Sequence, residues 1–306
     1  MKVNTNPGGL IAALLALVIV FISSFLYDSG IISDSEYLKI LGALNPGISE
    51  ISDHSVHFID VGQAECILIK TPGKIILIDA GDVGCDKDIK NYLYTVGIRN
   101  IDIFITTHPH ADHIGSAAEI IEAFPTGEVI MPEIPEEYLP STSLFEDFLL
   151  ALRKNGCKVS YAKPGTVFEF GEAKFEILAP SGNMGDNLNN YSVCTKFTYG
   201  ETSFLFTGDA ESSAEKVLID SGADISCTVL SAGHHGSTTS NSKRFLDFAD
   251  PQYAVISCGY DNDYGHPHKE VLSAFKKRGV KYYRTDFESH IVFYTDGKTI
   301  TVKTAK

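Results

Sequence analysis

After residue 55 the chain is organised by short apolar runs divided by glycine, proline and threonine. VHFIDVG, CILIKT and KIILIDAG, beginning at Val56, Cys66 and Lys74, are rich in Ile and Val and predict three consecutive strands joined as hairpins. The period then changes: Ile89, Leu93 and Val96 share one face of a helix predicted over 86–96, which leads into a buried strand over 101–106. Further helices are predicted at 116–124, 144–155, 212–221, 242–248 and 269–278. Further strands are predicted around Val129 and at 174–179, 193–199, 203–207, 227–230, 253–257, 281–284, 290–294 and 299–302. Hairpins first and strand–helix alternation later imply an α/β protein with two mixed sheets packed face to face and helices outside.

Ahead of this region, Gly8 to Tyr27 reads as twenty uncharged residues, long enough to cross a hydrocarbon core as a helix. Lys2 precedes the segment, while Asp28, Asp34, Glu36 and Glu50 follow it, which places the N-terminus in the cytoplasm and the bulk of the chain outside. The expected layout is a membrane anchor or signal at 1–27, a linker at 28–54 and one hydrolase-sized domain at 55–306. A cleaved secretory signal is the rival reading, since Ser23 and Ser24 offer small residues; cleavage would make the protein secreted.

The charge of -14 argues against holding a polyanion by unaided electrostatics, so any nucleic-acid activity needs bound metal or local cations such as Lys243, Arg244 and Lys269. The six cysteines lie far apart with no Cys-x-x-Cys pair, which excludes a zinc ribbon or a small disulfide scaffold.

Candidate chemistry is concentrated where apolar runs stop. THPHADH (Thr107 to His113) holds His108, His110, Asp112 and His113 directly after a predicted strand. Imidazole and carboxylate at this spacing can supply two adjacent metal centres and suit zinc, manganese or iron. FLFTGDAE delivers Asp209 past a glycine, and LSAGHHGS ends a strand in His234 and His235. Singly these two are as compatible with ordinary turns; together with the first cluster they define one convergent site. YGHPH adds His266 and His268 before a helix, either as pocket rim or as a helix start after Pro267. Asp60 and Asp79 end strands, where a carboxylate can accept the N–H of a metal-binding imidazole or merely cap a turn.

THPHADH, FIDVGQAECILI, LIDAGD, FTGD, GHHGS and GHPH together resemble the metallo-β-lactamase superfamily. More narrowly, they resemble the hydrolase domain of ComEC-type DNA-uptake proteins, over roughly residues 55 to 306. The resemblance implies an αββα four-layer sandwich, preceded here by the N-terminal transmembrane helix. It implies His108 and His110 on one metal, Asp112 and His113 on a second, Asp209 bridging, and His235 or His234 completing the second site. The superfamily's usual histidine between the first cluster and the bridging aspartate is absent: NLNNYS (Asn187 to Ser192) stands there, so Asn190 or Ser192 is expected beside the first metal. Gln63 is followed by Ala64 and Glu65 instead of the more usual Gly-Asp, and no catalytic role is assigned to it.

The function implied is metal-assisted hydrolysis with one or two zinc or manganese ions, Asp112 or Asp209 orienting water and His266 or His268 steadying the departing oxygen. The resemblance implies a phosphodiester substrate, nucleic acid such as DNA, at the cell membrane and outside the cytoplasm. Two alternatives stand beside it: a small-substrate phosphodiesterase or phosphorylcholine esterase of the cell envelope, and a non-catalytic, metal-stabilised surface binding module.

Overall fold

A computed structural model describes residues 54–305; the expected anchor at 1–27 and the linker up to residue 53 lie outside the described residues. Among the described residues, no helix is long and apolar enough to cross a membrane.

β1 (His54–Phe58), β2 (Ile67–Lys70) and β3 (Ile75–Ile78) form the antiparallel meander that the opening runs predict. β4 (Ile101–Ile105), β5 (Thr126–Met131) and β6 (Lys158–Tyr161) extend it in parallel. β14 (Ile291–Thr295) and β15 (Ile300–Thr304) close its other side, so the first sheet runs β15-β14-β1-β2-β3-β4-β5-β6. The second sheet is assembled from β7 (Val167–Phe170), β8 (Ala173–Ile177), β9 (Thr195–Tyr199), β10 (Thr202–Phe206), β11 (Val229–Ser231), β12 (Tyr253–Ile256) and β13 (Lys281–Arg284). It is antiparallel from β7 to β10 and parallel from β10 to β13.

Period-two alternation sorts the strand side chains into layers. Val56, Phe58, Ile76, Ile78, Ile103 and Ile105 of the first sheet meet Phe175, Phe197, Phe204, Phe206, Val229 and Val255 of the second in one apolar layer. Leu77 and Phe104 point the other way and pack on α1 (Asp86–Thr95), α3 (Ala117–Ala123) and α4 (Ser143–Lys154) through Ile89, Leu93, Ile120 and Phe148. On the far side, Leu205, Leu230 and Ala254 pack on α5 (Ser212–Asp220), α6 (Lys243–Ala249) and α7 (Lys269–Arg278) through Leu218, Phe245 and Phe275. Strands covered on both faces account for the unbroken apolar runs. The layers are helix, sheet, sheet, helix.

The six predicted helices lie within one residue of their expected ends. Two four-residue helices were not predicted: α2 (Ala111–Ile114), inside the histidine run, and α8 (Thr285–Glu288). Nor were β6 and β7. These are outer strands, and five of their eight residues are exposed, so neither carries a buried-strand signature. Of the six cysteines, Cys66, Cys194, Cys227 and Cys258 are buried, and all six are free thiols.

Candidate metal centre

β3 and β4 of the first sheet and β10, β11 and β12 of the second deliver the candidate residues from their C-terminal ends, the edge where open α/β sheets place ligands. Asp79 follows β3, His108 to His113 follow β4, Asp209 follows β10, and His234 and His235 follow β11. Gly208 turns sharply between β10 and Asp209, at φ 50°; a Cβ there would stand 2.9 Å from the Thr107 side chain, so only glycine lets the two strand ends approach.

One ligand atom from each of Asp112, His113, Asp209 and His235 falls within 4.8 Å of the other three, and all but Asp112 are buried. Asp209 divides its carboxylate. Its Oδ1 lies 3.2 Å from His113 Nε2 and 3.7 Å from His235 Nε2. Its Oδ2 lies 3.4 Å from His234 Nε2 and 4.0 Å from His108 Nε2. His110 joins this second side, its Nδ1 at 2.9 Å from His108 Nε2. His234 and His235 reach opposite sides because both hold left-handed backbone, at φ 52° and 54°. Strain of this kind at two consecutive non-glycine residues needs outside support. Asn241 supplies it, accepting from Gly233 N at 3.1 Å and donating to Gly233 O at 2.8 Å.

Hydrogen bonds behind the imidazoles fix which nitrogen faces inward. His235 Nδ1 donates to the Ser257 carbonyl at 2.8 Å. His113 Nδ1 donates to Asp79 Oδ2 at 2.6 Å, and the same oxygen accepts the Thr107 hydroxyl at 2.7 Å. With its proton on Asp79, the Thr107 hydroxyl can only accept from His108 Nδ1, 3.2 Å away. His108, His113 and His235 therefore all turn Nε2 to the centre.

The electrostatics show how strongly the pocket draws positive charge. Burial alone would depress His113, but the Asp209 and Asp79 carboxylates override it and raise its pKa well above the ordinary value. His235 is likewise lifted to about 9 against burial, by Asp209 and Asp112. Burial would raise Asp209, yet His113, His235 and His108 hold it well below the carboxylate range. Buried His108 lies well below the usual imidazole value, as burial outweighs Asp209.

The residues fit a divalent cation. His113 Nε2 is buried and has no hydrogen-bond partner, despite the nearness of Asp209 and a 3.9 Å approach to Asp112. An unpartnered imidazole nitrogen among two carboxylates and a second imidazole is a donor set for a metal of the zinc or manganese type.

The structure places the remaining candidates as follows. Asp79 is fully buried behind His113 and Thr107. Asp60 stands apart: its carboxylate accepts Gly62 N at 3.3 Å and its amide donates to His290. Ser192 Oγ lies 3.4 Å from His108 Nδ1 and accepts Asp209 N at 3.0 Å. Asn190 instead accepts Glu211 N at 3.2 Å. Asn189, not singled out above, donates its Nδ2 to Glu211 Oε1 at 3.2 Å, and its buried Oδ1 has no partner. His266 has ring-centroid distances of 5.5 Å to His234 and 6.3 Å to His235, and burial lowers its pKa to about 4. His268 Nδ1 accepts Thr238 N at 3.0 Å. Lys243 and Arg244 are paired with Asp247 and Asp220, which leaves little free positive charge there.

Two mixed sheets sandwiched between helices, with histidines and aspartates at one edge, define a hydrolase-type metal-binding fold. Residues 59–260 match the metallo-beta-lactamase superfamily, and the chain belongs to it. Its members are typically metal-dependent hydrolases. The chain is 28% identical over 253 residues to ComE operon protein 3 of Bacillus subtilis (strain 168), covering 77% of this chain and 32% of that protein. It is 29% identical over 236 residues to competence protein ComA of Neisseria gonorrhoeae, covering 76% and 31%. The chain thus spans about a third of the length of either relative. Among solved structures, CmlA, a diiron beta-hydroxylase from Streptomyces venezuelae, shares the fold with a TM-score of 0.51 at 14% identity, over 80% of this chain and 54% of that one.

Proposed function

We propose that this chain is a metal-dependent phosphodiesterase that cuts nucleic acid outside the cytoplasmic membrane, to which the apolar segment Gly8 to Tyr27 tethers it. The observation that carries the reading is the divided Asp209 carboxylate. Asp112, His113, His235 and Oδ1 form one donor set, and Oδ2 faces His234 and His108, with His110 beside His108. Paired cation sites of this kind suit displacement at phosphorus, where attacking and leaving oxygens both carry charge.

When bound, divalent cations would supply Lewis acidity and cancel phosphate charge that a chain of net charge -14 would otherwise repel. The chain's own residues do the rest. Asp112 is the most accessible of the four grouped ligands, which suits it to accept a proton from water. Gln63 Oε1 accepts from Gly259 N at 3.0 Å, so its amide NH₂ faces His266 Nδ1 at 3.4 Å. Neutral His266 then carries its proton on Nε2, free to donate to a departing oxygen.

Resemblance to competence-named proteins of two bacteria supports nucleic acid as the substrate. The test is cleavage of linear single-stranded DNA by the full chain with manganese or zinc, beside D209N. Cutting by the parent alone is expected. No cutting by metal-loaded parent at low salt would overturn the nuclease reading and favour a small envelope phosphodiester, which the acidic surface also suits.

A further inference from the structure

The loop between β12 and α7 is a braced turn that holds two tyrosines in water beside the centre. Asn262 closes it, donating to Gly259 O at 2.8 Å and His266 O at 2.6 Å and accepting from His266 N at 3.0 Å. Gln63 pins the same two residues from the first sheet's side. For all this bracing, Tyr260 is 75% and Tyr264 68% exposed. A large aromatic ring held rigidly in water forgoes the gain from burial.

Tyr264 runs nearly parallel to His266 in an offset stack, with centroids 5.6 Å apart and planes 21° from parallel. His266 is in turn the ring next to His234 and His235. The phenol thus stands alongside an imidazole of the site's rim and is largely open to solvent.

We propose that Tyr264 is the stacking platform for a nucleobase adjacent to the phosphodiester at the centre, an inference that rests on the phosphodiesterase reading above. A flat surface open to solvent takes a planar ring. A quaternary ammonium is better held by several rings around it, and Tyr260 is occupied elsewhere, against Phe287 at 6.3 Å and 65°. Base stacking on a tyrosine is tolerant of sequence and needs the base unpaired. Asp261 and Asp263, exposed on the same loop, repel a continuous phosphate backbone. The platform therefore grips one unpaired base of a short or terminal single strand.

The test is binding, read separately from cutting. The full-length chain in detergent micelles with manganese is titrated against fluorescein-labelled oligothymidylate and an abasic oligomer of equal length, using anisotropy. The parent should prefer the base-bearing oligomer by on the order of tenfold, the scale of one base–aromatic stack. Y264A should erase that preference and Y264F should keep it. An equal loss on both oligomers in Y264A, or a preference that survives Y264A, overturns the platform. A parent that binds both oligomers and cuts neither overturns the nuclease reading instead, while the base preference still decides the platform.

Discussion

His234 and His235 are neighbours in sequence and stand on opposite sides of one carboxylate, 3.4 Å from Oδ2 and 3.7 Å from Oδ1 of Asp209. Each should therefore serve a different cation. H234A and H235A are each expected to lower bound metal by about one ion per chain, and D209N to lower both. Metal analysis after dialysis against limiting manganese or zinc checks this; identical losses in the two histidine variants would show a single shared site.

Asp79 touches no candidate cation position, yet it sets the orientation of both His113 and Thr107. D79N should weaken metal affinity about 10- to 100-fold, the usual scale for a residue that orients a ligand. Competition with a chromophoric chelator measures it. An unchanged affinity would mean that packing alone positions His113.

The apolar layer between the sheets is independent of the ligands. Phe204 is fully buried there, and F204A should cost about 3–5 kcal/mol of folding stability. Urea unfolding of the metal-free protein gives the number, and metal stoichiometry at low denaturant should stay the same.

His57 gives stability a pH dependence of known sign. Buried between Ser55 and Tyr92, it hydrogen-bonds both, and burial, helped by Lys70 and His290, lowers its pKa to about 3. The unfolded chain therefore takes up a proton near pH 6.5 that the native chain refuses. Its contribution is complete above about pH 6.5 and falls as pH drops toward 3, by about 2 kcal/mol at pH 5. Chemical unfolding from pH 8 to 5 should show the loss in the parent and a shallower slope in H57Q.

What the sequence disclosed followed how local each signal was. THPHADH stands out because its donors lie within six residues, and the paired sheets follow from apolar runs that are buried on both faces. Asp209 looks like an ordinary turn residue until β10 is seen beside β4's end, with Gly208 against Thr107. Asn189 and Asn190 differ only by their phase in the 3-10 turn over 188–191, which no periodicity fixes in advance. The opposite reach of His234 and His235 depends on two left-handed residues that composition does not announce. β6 and β7 escaped for the reverse reason: lying at sheet margins, they need no continuous apolar face.

The chain's order gives the site a built-in delay. β1 pairs with β14, nearly the whole length of the domain away, and the nitrogen of His235 is aimed by the carbonyl of Ser257. A ribosome that has made the histidine run is still well over a hundred residues short of that carbonyl, and further still from β14. A chain ending before Ser257 keeps Asp79 and Thr107 behind His113 and His108 but has no acceptor for His235 Nδ1. The centre is therefore complete only once the second sheet has been made through β12.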